Sequence, residues 1–322
     1  MTPDYRQIID GETWAFIARS EACYPPDTAT RSVAEQRDFY NAMCRAFHVP
    51  HPPGVTACDR MAGRVPVRDY SLGGGAAHIL FFHGGGFVVG GLDSHDDICA
   101  ELCAGTGFDL TAVDYRLAPE HVFPADFDDA MAAWEDLGAR VSGPIVLVGD
   151  SAGGTLCAGL SHALRGAARR PSGQVLVYPA LGLSPESTSM ELHAEAPMLT
   201  RAECLYYRKI RVGGDASLLD DPRCMPLRAE SFAGLPPSIV ISVECDPVAG
   251  DGRTYATAIA NAGGAAQWRS EPGLVHGYLR ARHSVERARV SFRRIVAAIS
   301  ALGSGATPGT RSNPRRSEPQ RR

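Results

Sequence analysis

Ser151 sits in the run Gly149-Asp150-Ser151-Ala152-Gly153-Gly154, a G-x-S-x-G pattern. The apolar run Ile145-Val146-Leu147-Val148 precedes it, and a helix-like stretch from Thr155 to Arg165 follows. Strand, sharp turn and helix together form a setting that holds a serine in a strained backbone conformation. Its hydroxyl is then pushed out at the end of a sheet. Gly149 and Gly153 carry no Cβ, so strand and helix can pass close beside the serine. The free N–H groups of a helix start favour negative charge developing there. A serine hydroxyl is a weak nucleophile near neutral pH. The turn does chemistry only if the chain also supplies a base, an acid to orient it, and donors for an oxyanion.

Candidates for all three are present. His78 to Phe82 reads as a buried strand and runs into His83-Gly84-Gly85-Gly86-Phe87. Three glycines after a strand make sense where backbone N–H groups face a ligand without side chains in the way, which is what an oxyanion hole requires. A dinucleotide fingerprint would need G-x-G-x-x-G opening a helix, and that order is absent. His83 itself is expected to brace the loop. The base is His276, in a Gly-flanked loop after the last strand, an imidazole suited to moving a proton near pH 7. The acid is Asp246, directly after the strand at 238–243. Asp251 is its rival, and Glu244, still within the strand, a weaker one. The order Ser…Asp…His is that of an α/β-hydrolase.

These residues need a frame. Strand signals at 65–70, 78–82, 110–114, 145–148, 174–179, 238–243 and 266–270 alternate with helix signals at 94–106, 124–137, 251–262 and 284–301. The pattern predicts an α/β fold, a mostly parallel sheet covered by helices on both faces, with its chemistry at the carboxyl ends of the strands. Pro66 suits an edge strand. Residues 1–22 and 32–48 read as two helices, with Phe39, Met43 and Phe47 as an apolar stripe in the second. The division expected is cap helices at 1–48, a core at 49–302 and a cap insertion at about 184–232. The plainer alternative is surface helices and a decorated crossover. The insertion carries a helix from Glu203 to Ile210 with Leu205, Tyr206 and Tyr207. Residues 303–322, rich in Arg, Pro and Ser, are expected to be disordered.

Several local expectations follow from spacing. Ser94 caps a helix whose start, with Asp93, His95, Asp96 and Asp97, is solvated. Cys99 and Cys103 pack in the core. Arg116 and Glu120 form a buried pair that fixes their loop.

The bulk numbers exclude other classes. With 322 residues, 44% hydrophobic and 21% charged, the chain can bury a sizeable core. A net charge of −4 makes no case for nucleic acid or an anionic membrane as partner. Nine scattered cysteines without a C-x-x-C pair argue against a disulfide framework or a structural zinc. No metal and no cofactor are expected. No secretory signal and no apolar run long enough to cross a bilayer are evident, so a cytoplasmic protein is expected. A homodimer stays open.

His83-Gly84-Gly85-Gly86, Asp114-Tyr115-Arg116-Leu117-Ala118-Pro119-Glu120, Gly149 to Gly154, Asp246-Pro247 and His276-Gly277 occur in that order. Together they resemble the hormone-sensitive-lipase-like (family IV) bacterial carboxylesterases over about residues 64–300. The resemblance implies Ser151, Asp246 and His276 as triad, with the N–H groups of Gly84, Gly85 and Ala152 as oxyanion hole. It also favours the cap reading. Gly86, Phe87, Asp150, Leu205, Tyr206 and Val275 are the residues expected around the substrate. One departure stands out. The family's Leu and acidic pair after Asp246-Pro247 are replaced by Val248-Ala249-Gly250-Asp251-Gly252, which puts the shape of that loop in question. The expected activity is hydrolysis of small, short-to-medium acyl esters. An amidase, lactonase or carbamate hydrolase would share the triad, and a small-molecule receptor on a dead hydrolase would be expected to lack one of its members.

Overall fold

A computed structural model of the chain describes residues 3–182 and 187–308. Eight strands form one sheet in the order β1-β2-β4-β3-β5-β6-β7-β8. They are β1 (Thr56–Ala62), β2 (Val65–Ser71), β3 (His78–Phe82), β4 (Asp109–Val113), β5 (Ile145–Asp150), β6 (Gly173–Val177), β7 (Ser238–Cys245) and β8 (Ala266–Val275). The β1–β2 and β2–β4 pairs are antiparallel; the remainder are parallel. The helices are α1 (Tyr5–Ile8), α2 (Gly11–Glu21), α3 (Val33–Phe47), α4 (Asp96–Thr106), α5 (Ala125–Arg140), α6 (Ala152–Ala163), α7 (Thr188–Leu192), α8 (Arg201–Arg211), α9 (Ala249–Asn261) and α10 (Glu286–Gly303).

The two-residue period of a strand divides the apolar runs between two cores. Ile79, Phe81, Val146, Val148, Val175 and Val177 face α4, α10 and the N-terminal helices α2 and α3. Leu80, Phe82, Leu147 and Leu176 face α5, α6 and α9. Strands buried on both faces read as continuous apolar runs, and the central ones were therefore legible. Cys99 and Cys103 lie in the first of these cores. No helix among the described residues is long and apolar enough to cross a membrane.

Four local expectations are corrected. First, Pro66 is not on an edge: β1 lies outside β2 and pairs with it along its length. Thr56–Ala62 has no run of strand formers, so its partner rather than its composition makes it a strand. Second, Ser94 does not cap α4. A 3₁₀ turn at Leu92–Ser94 intervenes, and the Ser94 hydroxyl bonds the Gly91 backbone and His95. Third, the start of α4 is solvated only at Asp93. His95 and Asp97 are buried, and Asp96 accepts hydrogen bonds from Tyr70 and Arg68. Fourth, Arg116 does not pair with Glu120. It forks onto buried Asp129 with two bonds of 2.8 Å, whereas Glu120 pairs with Arg37 of α3. That second pair ties α3 to the loop after β4. The expected disorder of the C-terminal tail falls mainly on 309–322, outside the described residues.

Candidate active site

Three strand ends bring the expected triad together. Ser151 follows β5 with φ 51° and ψ −118°, a left-handed conformation that a side chain rarely adopts. Its neighbours leave little room for any other backbone path. A Cβ on Gly153 would overlap the Phe82 carbonyl, and one on Gly149 would overlap the Gly153 backbone. The conformation is therefore imposed by strand and helix crossing at contact distance.

His276 follows β8. Its Nε2 lies 2.8 Å from Ser151 Oγ, and its Nδ1 lies 2.7 Å from Asp246 Oδ2. Asp246 is fully buried after β7, and its other oxygen accepts the Val248 N–H at 2.9 Å. The altered sequence after Pro247 thus still clamps the carboxylate. The two rival acids are occupied elsewhere. Asp251 Oδ2 accepts the N–H groups of Leu181 and Gly182 at 2.5 and 2.8 Å. Glu244 accepts the Gly273 N–H at 2.8 Å, within β8 and short of the His276 loop.

The oxyanion donors need a correction. The N–H of Gly84 is already spent: it donates to Asp150 Oδ1 at 2.8 Å, and Gly84 does not line the cavity beside Ser151. Gly85, Gly86 and Ala152 do line it, and their N–H groups make no hydrogen bond within the described residues. Ala152 begins α6, where the first N–H groups have no partner in the helix. Gly86, expected around the substrate, thus joins Gly85 and Ala152 as a candidate donor.

Asp150 is the residue that sets the loop. Its carboxylate takes Gly84 N–H and His95 Nε2 on one oxygen and Tyr178 OH on the other. Burial works against its charge, but His95, the positive charge of Arg280 and the Gly84 N–H outweigh it and hold its pKa down at about 2. His83 braces the same loop. Its Nδ1 bonds the Gly84 carbonyl at 2.9 Å, and its ring stacks on Tyr115 with centroids 4.3 Å apart. Burial, the nearby His95 and the charge of Arg280 bring its pKa down to about 3, so it stays neutral near pH 7.

The cavity measures about 940 Å³. Trp14 and Tyr24 from the first helical region, Tyr40 and Met43 from α3, and Leu199, Tyr206 and Tyr207 from the segment between β6 and β7 line it beside Ser151. Of the residues expected around the substrate, Gly86, Phe87, Asp150 and Tyr206 line it, while Leu205 and Val275 do not. Leu205 borders a separate cavity of about 220 Å³, and Val275 is buried in the sheet core. The residue missed is Tyr207, whose ring lies over Gly86: a Cβ there would come within 2.5 Å of it. Its signal was available, because Cys204, Tyr207 and Arg211 recur at helical spacing on one face of α8, whereas Leu205 lies off that face.

Comparison with known proteins places the fold in a family. Residues 79–280 match the family model described as alpha/beta hydrolase fold. The chain belongs to that family. It is similar to "Ethyl acetate hydrolase" of Pseudomonas putida, 35% identical over 249 residues, 73% of this chain and 76% of that protein. It is also similar to "Carboxylic ester hydrolase LipN" of Mycobacterium tuberculosis, 36% identical over 233 residues, 68% of this chain; the match spans 62% of that relative's length. Among solved structures, the ester-hydrolase EH1AB1 from the metagenome of Lake Arreo superposes with a TM-score of 0.83. It is 30% identical, with 92% of this chain and 99% of that chain covered. These relatives are of the esterase class that the motifs resembled.

Proposed function

We propose that this protein is a serine carboxylic ester hydrolase working through Ser151, His276 and Asp246. One observation carries the reading. A single imidazole spans 2.8 Å to a serine hydroxyl on a strained turn and 2.7 Å to a buried carboxylate, at the wall of a large cavity. The names of the relatives support the same class.

In this reading the ester carbonyl oxygen lies toward the N–H groups of Gly85, Gly86 and Ala152. Ser151 Oγ attacks the carbonyl carbon as its proton passes to His276 Nε2, and the oxyanion forms against the three donors. Asp246 holds the imidazole with Nδ1–H toward itself and stabilises the imidazolium. The imidazolium then gives its proton to the leaving alcohol. Water, deprotonated by the same Nε2, cleaves the acyl-enzyme and releases the acid and free Ser151. The helices at 3–48 and the segment about 187–232 act as the cap, and their aromatic side chains limit the acyl group to short-to-medium length.

Hydrolysis of p-nitrophenyl esters from C2 to C12 tests this. The expected result is turnover that peaks at short-to-medium chains and is abolished by Ser151→Ala. Absence of turnover on the whole series would overturn the ester reading, and a maximum at C12 would overturn the chain-length claim.

A further inference from the structure

Three arginines are almost wholly buried among the described residues: Arg211, Arg280 and Arg282. Two are neutralised by carboxylates. Arg211 Nε donates to Asp126 at 2.7 Å, and its guanidinium lies over the Phe87 ring. Arg282 reaches Asp97 at 2.6 Å and Glu101 at 2.7 Å. Arg280 is different. Its Nη1 donates to the Ser94 carbonyl at 2.6 Å and its Nη2 to the Tyr40 hydroxyl at 2.9 Å. It forms no ion pair with any carboxylate among the described residues. Burial pushes the Tyr40 phenol well up, so this partner stays neutral. Asp150 feels the charge of Arg280, but its oxygens already serve Gly84, His95 and Tyr178.

Arg280 also faces the same cavity as Ser151. It stands four residues beyond His276, in the turn Tyr278–Ala281. A buried cation with no carboxylate in contact is costly, and a guanidinium is shaped to take a carboxylate through two parallel hydrogen bonds. Glu21, Glu195 and Glu203 line the cavity too, but they are exposed, where water screens them, and the buried Asp150 on its wall has its oxygens taken by Gly84, His95 and Tyr178. The attraction for an anion is therefore confined to the buried end, where a charge interaction is strongest.

We propose that Arg280 anchors an anionic group on the substrate, so that the preferred esters carry an ionised carboxylate, as in a monoester of a dicarboxylic acid. This rests on the ester-hydrolase reading above and deepens it. The reaction remains the same: water cleaves the scissile acyl C–O bond to give a carboxylate, the alcohol and a proton, and the anchored carboxylate leaves on whichever product carried it. The anchored carboxylate takes no part in the bond changes.

The test compares shape-matched pairs. With the anion on the acyl side, p-nitrophenyl hemisuccinate is set against p-nitrophenyl 4-methylpentanoate; with the anion on the alcohol side, 4-acetoxybenzoate is set against 4-isopropylphenyl acetate. The full chain is expected to prefer the charged member of one pair in kcat/KM, and the favoured pair identifies the side. In Arg280→Met the charged-to-neutral ratio of that pair is expected to fall at least about tenfold, and Arg280→Lys to recover part of it. A wild type that hydrolyses the neutral esters and disfavours both charged ones overturns the proposal and leaves the ester reading intact. An Arg280→Met variant that loses both members equally also overturns it, because Arg280 would then only hold Tyr40 and α3. If none of the four is hydrolysed, the ester reading fails. Calorimetric titration with glutarate then decides the anion site: binding lost in Arg280→Met sustains it, and no binding to the wild type overturns it.

Discussion

The platform of strand ends and the helical cover above it are built by different rules. On the platform, backbone touches backbone: β3, β5 and α6 cross so closely that Gly149 and Gly153 have no space for a methyl group. On the cover, side chains touch, with Tyr207 laid over Gly86 and Arg37 of α3 paired with Glu120. In the proposed mechanism, backbone contacts fix donors and nucleophile to fractions of an ångström, as an oxyanion site requires. Side-chain contacts tolerate exchange, as a pocket that sorts substrates requires. The platform should therefore govern rate, and the cover selectivity.

The largest expected contrast lies between Ser151 and any single residue of the cover. Ser151→Ala should lower kcat by at least about 10⁴-fold with little change in Tm, measured on p-nitrophenyl butyrate. A cover substitution with an equal loss would break the distinction. Next are the two buried aspartates after β7. Asp246→Asn should cost on the order of 10⁴-fold in kcat, because the amide no longer holds the right tautomer. Asp251→Asn should instead lower Tm, since it weakens two charge-assisted bonds to Leu181 and Gly182. Activity that survives Asp246→Asn and vanishes in Asp251→Asn would reverse the assignment.

Gly153→Ala should destabilise by about 1–3 kcal/mol or more, because the added Cβ meets a carbonyl that cannot move aside. A denaturant midpoint equal to wild type would show that the crossing is looser than described. Tyr207→Ala should change kcat/KM by about tenfold, on the scale of one lost pocket contact. It should also move the preferred acyl length while leaving Tm nearly unaltered.

The smallest effect concerns pH. His162 in α6 is buried with neither ring nitrogen hydrogen-bonded, and burial followed by Arg165 brings its pKa down to about 4. The unfolded chain takes up that proton from about pH 6.5 downward and the folded chain does not. Stability is thus lost as the pH falls through that window. His162→Phe should lose less Tm between pH 7.5 and 5 than the wild type, and parallel losses would show that His162 does not contribute.

The sheet and the nucleophile turn were legible because parallel strands leave long apolar runs and the crossing of strand and helix demands glycine. Asp246 was legible for a similar reason, as a charged residue at the point where an apolar strand stops. β1 was not, since nothing in Thr56–Ala62 distinguishes it until β2 lies beside it. Arg116 illustrates the limit: Glu120 is near in sequence, but Asp129 is one turn into α5 on the side that faces it.

The sequence by itself determined which residue types stand at which strand ends, because chain order and apolar period survive in one dimension. Only the tertiary structure decided which N–H groups remain free. Gly84 and Gly86 are identical in type and two residues apart, yet Asp150 takes one and leaves the other to the cavity. It likewise decided that Arg211 and Arg282 meet carboxylates while Arg280 does not. The physical reason is common to both. Hydrogen-bond satisfaction and charge pairing depend on which groups come within about 3 Å in space, and residues far apart in the chain supply them.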